Sequence, residues 1–81
     1  MKPSEVIKTY GWVQRRSGNE ETGFCLIGAV YHVYNNNNDY FIYNKVFCAL
    51  HQAIHAFPST WNDTPGRTKK EVIKLLESIG E

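Results

Sequence analysis

Residues 24–34 read Phe24-Cys25-Leu26-Ile27-Gly28-Ala29-Val30-Tyr31-His32-Val33-Tyr34, the most continuously apolar run in the chain. A run of this length makes about three helical turns and falls well short of the ~20 residues needed to cross a bilayer. On a helical wheel Ile27, Val30, Tyr31 and Tyr34 share one face. Leu26 and Val33 flank it on one side, Phe24 and Gly28 on the other. Only a narrow stripe of Cys25, Ala29 and His32 is left over, and a helix apolar nearly all round is buried nearly all round. The β-branched and aromatic residues would also suit a buried strand. The length of the run, the Gly28-Ala29 pair and the helical patterns on both sides favour a helix. The fold expected is therefore all-α: a compact four-helix domain built around a central buried helix over about residues 23–34.

Upstream of that run, Ser4 is the expected N-cap of a first helix whose inward face is Val6, Ile7 and Tyr10, with Gly11 at its C-terminal end. Trp12 and Val13 are expected to tuck back onto the bundle. Gln14 to Thr22 is polar and without period, which reads as a loop ending in Thr22 as the cap of the central helix. Downstream, Asn35-Asn36-Asn37-Asn38 is a turn-forming cluster. Asp39 or Asn38 then caps a third helix from Tyr40 to about Ala56. Its inward stripe is Tyr43, Val46, Phe47, Leu50, Ile54 and Phe57, with Lys45, Gln52 and Ala56 pointing away, and Pro58 closes it. Ser59 to Arg67 reads as a loop in which Pro65-Gly66 has the residue order of a type II turn. Thr68-Lys69-Lys70-Glu71 is a capping box that opens a last helix, with Val72, Leu75, Leu76 and Ile79 inward and Gly80 at its end.

Composition narrows the function classes. The 81 residues make one domain, 1–81, and the 42% hydrophobic and 14% aromatic content is enough to form a core. A formal net charge of +1 argues against non-specific binding of duplex nucleic acid, which depends on phosphate neutralisation. Met1 to Tyr10 has no apolar h-region, and no span reaches membrane length, so the expectation is a cytoplasmic protein. In that compartment Cys25 and Cys48 are free thiols rather than a disulfide.

Three constellations could carry chemistry. In the stretch Trp61-Asn62-Asp63-Thr64-Pro65-Gly66-Arg67-Thr68, the cations Arg67, Lys69 and Lys70 gather at a helix N-terminus, where the macrodipole already favours an anion. Together with free amides and the Thr68 hydroxyl they would suit a phosphate or carboxylate, with Trp61 as a stacking or anchoring surface. The structural alternative is that Trp61 plugs the bundle end, Asp63 ties down the loop and pairs with Arg67, and the lysines are solvated. Next, Cys48, His51 and His55 fall on one flank of the third helix, and the i, i+4 histidines could present two imidazoles to zinc, with His32, Cys25 or Asp63 completing the shell. Boundary residues without metal read equally well from the same spacing. Finally, Cys25 near a helix N-terminus could be an activated thiolate, with His51 or His55 as base and Asn62 or Asp63 as orienting group. Against that stands the frequent burial of cysteine as a small hydrophobe.

Gly11-Trp12, Cys25-Leu26-Ile27-Gly28-Ala29, and Trp61 to Thr68 followed by Glu71-Val72, in that order, resemble a family of small proteins of unknown function from bacteria and their phages. The resemblance spans most of the chain, although the stretch from the asparagine run through the third helix carries no matching motif. It implies a stand-alone small domain and no particular activity. A phage setting would associate it with binding a host factor.

The functional expectation is thus a small non-enzymatic binding or regulatory protein. Its surface would be Trp61, Asn62, Asp63, Arg67, Thr68 and Lys70, perhaps extended by Arg15-Arg16. Its partner would be a host or self protein, or a small anionic ligand, with no cofactor, no metal and no membrane. A homodimer fits an exposed aromatic on so small a domain. The alternatives are a thiol hydrolase using Cys25 with a histidine base, and a metal-binding domain through Cys48, His51 and His55.

Overall fold

A computed structural model describes residues 1–35 and 38–81. Among them lie five helices and a two-stranded antiparallel sheet. The order is α1 (Pro3–Tyr10), β1 (Gly18–Asn19), β2 (Gly23–Phe24), α2 (Leu26–Tyr34), α3 (Tyr40–Ile54), α4 (Pro58–Asn62) and α5 (Lys69–Ser78). The all-α, four-helix expectation is therefore overturned: the fold is mixed. None of these helices is long and apolar enough to cross a membrane.

The sheet explains the correction. Beyond Gly11, which ends α1 by donating its N–H to the Ile7 carbonyl at 2.9 Å, the chain runs beside Phe24. Phe24 N–H donates to the Gly11 carbonyl at 3.0 Å, and Val13 N–H donates to the Phe24 carbonyl at 3.2 Å. That crossing is so close that a Cβ on residue 23 would sit 2.4 Å from the Gly11 carbonyl carbon, and glycine removes the conflict. The stretch expected to be a loop also holds β1 and a tight turn. Asn19 Oδ1 accepts the N–H groups of Glu21 and Thr22, while the Thr22 hydroxyl accepts from Asn19 N–H. Thr22 is thus spent on the hairpin and does not cap the central helix.

That helix, α2, starts later than expected, at Leu26 rather than near residue 23, because Gly23 and Phe24 are extended in β2. Its cap is Cys25, whose Sγ accepts from Gly28 N–H at 3.1 Å. The wheel is also turned from the one expected. Leu26, Ala29 and Val30 are buried, whereas Tyr31 is 52% exposed. In α1, Ser4 lies inside the helix behind Pro3 instead of capping it, and it is buried.

α3 is capped by Asp39, whose carboxylate accepts from Ile42 N–H, as the sequence suggested. It stops at Ile54 because His55 takes a left-handed conformation at φ 53°. Pro58 does not close α3. It occupies the first turn of α4, where its missing N–H costs nothing, so residues 58–62 are helical and not loop. Phe57, expected inward, is 64% exposed. Of the asparagine turn, Asn36 and Asn37 lie outside the described residues. The Asn38 N–H donates to the Asn35 carbonyl at 3.0 Å.

Two local expectations hold in detail. Arg67 N–H donates to the Thr64 carbonyl at 3.0 Å around Pro65 and a Gly66 at φ 86°, which is a type II turn. Thr68 and Glu71 form the capping box of α5. The core gathers Val6 and Ile7 of α1, Leu26, Ala29 and Val30 of α2, Val46 and Leu50 of α3, Val72 and Leu76 of α5, and Phe24. α1 sits between α2 and α5, while α3 packs chiefly against α2 and α4, so one side of α3 is left outward.

Candidate functional site

The motif residues near the end of the chain meet those near its beginning at Asn62, which is completely buried. Its Oδ1 accepts from Trp12 Nε1 at 2.7 Å and from Leu26 N–H at 2.9 Å. Its Nδ2 donates to the Val13 carbonyl at 3.1 Å and to Asp63 Oδ1 at 3.0 Å. An asparagine side chain has two donors and room for two accepted bonds, and here all four are used. The backbone carbonyl of Asn62 accepts Gln14 Nε2 as well, at 3.0 Å. Short α4, started by Pro58, is what carries Asn62 under α2. The bond to Leu26 N–H also satisfies one of the free amides of the first turn of α2.

The other expected site residues extend this latch. Asp63 accepts Arg15 N–H at 2.8 Å, which pins Arg15 at a left-handed φ of 66°. Arg67 does not pair with Asp63. Its guanidinium lies 3.8 Å from the centre of the Trp61 ring, Nε donates to the Trp61 carbonyl at 3.0 Å, and one terminal nitrogen meets Glu71 Oε2 at 3.1 Å. Thr68 accepts from Glu71 N–H, and Glu71 in turn accepts from Thr68 N–H at 2.9 Å. Those bonds from Thr68, with Arg67 beside it, hold the Glu71 carboxyl below the usual carboxylate range. Trp61 is half-buried against the core, and Lys70 is exposed. The guanidinium and hydroxyl that an anion would need are thus engaged within the fold, and Asn62 presents no atom to a ligand. Thr64, Pro65, Gly66 and Lys70 form the outer surface of the region.

Cys25 is brought into the same neighbourhood but not as a reactive thiol. Its N–H donates to the Ser17 carbonyl at 3.1 Å, and burial pushes the thiol up from its ordinary pKa, against the lowering effect of the Gly28 amide. Here Gly28 is required by space, because a Cβ there would come within 2.2 Å of the Ser17 carbonyl oxygen. Cys48, His51 and His55 are exposed on and after α3. Among the described residues, no three His, Cys, Asp or Glu side chains are grouped so as to hold a metal ion. The structure therefore overturns the metal reading.

Two features went unread in the sequence. A cleft of about 660 Å³ opens between the β1–β2 turn and α2, with Glu20, Glu21, Phe24, Tyr31 and His32 in its wall. Glu20 reaches across it, bonded by the Tyr10 hydroxyl and 4.0 Å from His32 Nε2, while the His32 ring lies 4.7 Å from that of Phe24. These contacts fasten the hairpin to α2. The bond to Glu20 also pushes the Tyr10 pKa up.

The second is an aromatic surface on α3. Tyr40 is 59% exposed and Phe41 76% exposed. Tyr40, Phe47 and His51 follow one another at spacings that stack them along one side of a helix. Ring contacts continue the stripe at both ends, from Tyr31 through Tyr43 to Phe47 and from His51 to Phe57. The available signal was the aromatic content of α3 on the side away from Val46 and Leu50.

The model of a family of unknown function matches residues 3–80, nearly the whole chain. No curated protein and no solved structure matches.

Proposed function

The chain belongs to DUF6197, a family of unknown function, and we propose that it is a small non-catalytic binding protein that docks a protein partner on the outward face of α3. The observation that carries this reading is the exposure of Tyr40, Phe41 and Phe57, each between 59% and 76%, with Tyr31 at 52% beside them. Aromatic side chains left in water at that level cost solubility and gain free energy when covered, roughly 25 cal/mol for each Å² of apolar surface removed from water. They are also the side chains that most often dominate contact energies. The same reading moves the contact surface away from the Trp61–Lys70 stretch, where internal bonds occupy the polar groups. The engaged and buried Cys25 thiol supports a role without nucleophilic chemistry.

Affinity capture with the tagged full chain in its own cells tests this, using wild type, Phe41→Ser and Lys70→Ala. The expected outcome is a partner retained by wild type and Lys70→Ala and lost with Phe41→Ser. The opposite pattern, retention with Phe41→Ser and loss with Lys70→Ala, would return the contact surface to the loop.

A further inference from the structure

Resting on that reading, we infer that the occupant of the α3 face is a second copy of this chain, with the two α3 helices packed antiparallel about Phe47. α3 runs Tyr40–Ile54, which makes Phe47 its middle residue. A two-fold axis at Phe47 sets Tyr40 of one copy opposite Ile54 of the other, and Tyr43 opposite His51, so the aromatic stripe covers itself. This is the self-complementary contact that a two-fold requires.

Charge points the same way. The exposed residues Tyr40, Phe41, Asn44 and Cys48 carry no formal charge, and Lys45 stands at their margin. Such a face offers nothing for a strongly charged partner to recognise. The ends of α3 do differ: Asp39 caps the N-terminus, and His51 and His55 lie at the C-terminus. Antiparallel pairing brings the carboxylate of one copy towards the imidazoles of the other and opposes the two helix dipoles. A formal net charge of +1 leaves little repulsion between copies.

The size is also suitable. Aromatic side chains bury about 150–250 Å² each, so four that stand half to three-quarters exposed offer on the order of 500 Å². Asn44, Phe47, Cys48 and His51 bring this towards the ~800 Å² per partner of an ordinary interface.

Sedimentation equilibrium of the full chain, from about 1 to 500 µM, brackets the affinities expected of a modest interface. Wild type is expected to show a reversible monomer–dimer equilibrium that Phe41→Ser weakens about tenfold or more. A short bis-maleimide is expected to join Cys48 to Cys48, since Cys25 is buried and Cys48 exposed. With Gln52→Cys in a Cys48→Ser background, the reagent is expected to fail, because antiparallel pairing sets the two position-52 sites about 15 Å apart along the axis. Bridging at position 52 would overturn the antiparallel assignment. A monomer at every concentration, or a dimer indifferent to Phe41→Ser, would overturn the self-pairing itself. Capture of a different partner that depends on Phe41 would still uphold the docking face, so the two failures are separable.

Discussion

At Asn62 one buried side chain spends every donor and acceptor on the fold, whereas along α3 a row of aromatic rings stands half to three-quarters in solvent. The first region contains all the motifs by which the sequence resembles a family, and the second contains none of them. Trp12, Cys25-Leu26 and Asn62-Asp63 look like a reactive or binding set because they are polar or distinctive residues in short, specific strings. Their distinctiveness comes from a geometric demand. Three separate segments must meet without leaving a buried polar group unpaired, and few residue types can do that. α3 needs only an apolar inner face, so its outer face is free to carry something else. A motif can therefore mark what holds a small protein together, while the working surface lies where no motif is found.

Four substitutions or measurements press on this contrast, from the largest effect to the smallest. Asn62→Asp keeps the shape and both acceptors but removes the donors to Val13 and Asp63 and sets a second carboxylate beside Asp63. It is expected to cost about 3 kcal/mol, the scale of a broken buried network, read from urea unfolding. A cost under about 0.5 kcal/mol would mean that the latch is decorative. Thiol alkylation in native protein is expected to modify Cys48 quickly and Cys25 on the order of a hundredfold more slowly, through transient opening only. Fast, selective modification of Cys25 would restore the thiol-enzyme reading.

Arg67→Ala removes the stack on Trp61, the bond to the Trp61 carbonyl and the pair with Glu71. The expected loss is about 1 kcal/mol, read as a fall in melting temperature. An unchanged melting temperature would free Arg67 for a ligand. The smallest effect concerns Glu71. Its carboxyl is held below the usual range by Thr68 and Arg67, so between its folded and unfolded pKa values the unfolded chain binds more protons. The stabilisation is present above the unfolded carboxylate pKa and is lost as pH falls through the folded one. Melting temperatures from about pH 6 down to pH 3 are expected to fall less steeply in Glu71→Gln than in wild type.

Legibility of the sequence followed the range of the interactions. The Thr68–Glu71 capping box, the Asp39 cap and the Pro65-Gly66 turn are made within four residues, and each was readable. The hydrophobic stripes of α1 and α5 were readable for the same reason. The β1–β2 pair was not, because two-residue strands show no alternation and this pairing depends on a glycine crossing. Cys25 went unread as a cap, since the usual capping oxygen was sought and Thr22 offered one nearby. Asn62 and Asp63 looked like surface loop residues. Their partners lie 36 to 50 residues away, with nothing local to announce the contact. Phe57 and Tyr31 were assigned inward by apolarity alone, and what decides their exposure is where α4 and α3 pack.

The most direct measurement is equilibrium urea unfolding of Asn62→Asp and Phe41→Ser side by side at about 1 µM, dilute enough that self-association adds little by mass action. The account predicts that Asn62→Asp loses about 3 kcal/mol while Phe41→Ser stays within about 0.5 kcal/mol of wild type. A tolerated Asn62→Asp together with a destabilising Phe41→Ser would contradict it, placing the structural role on α3 and reopening the Trp61–Lys70 stretch as the working surface.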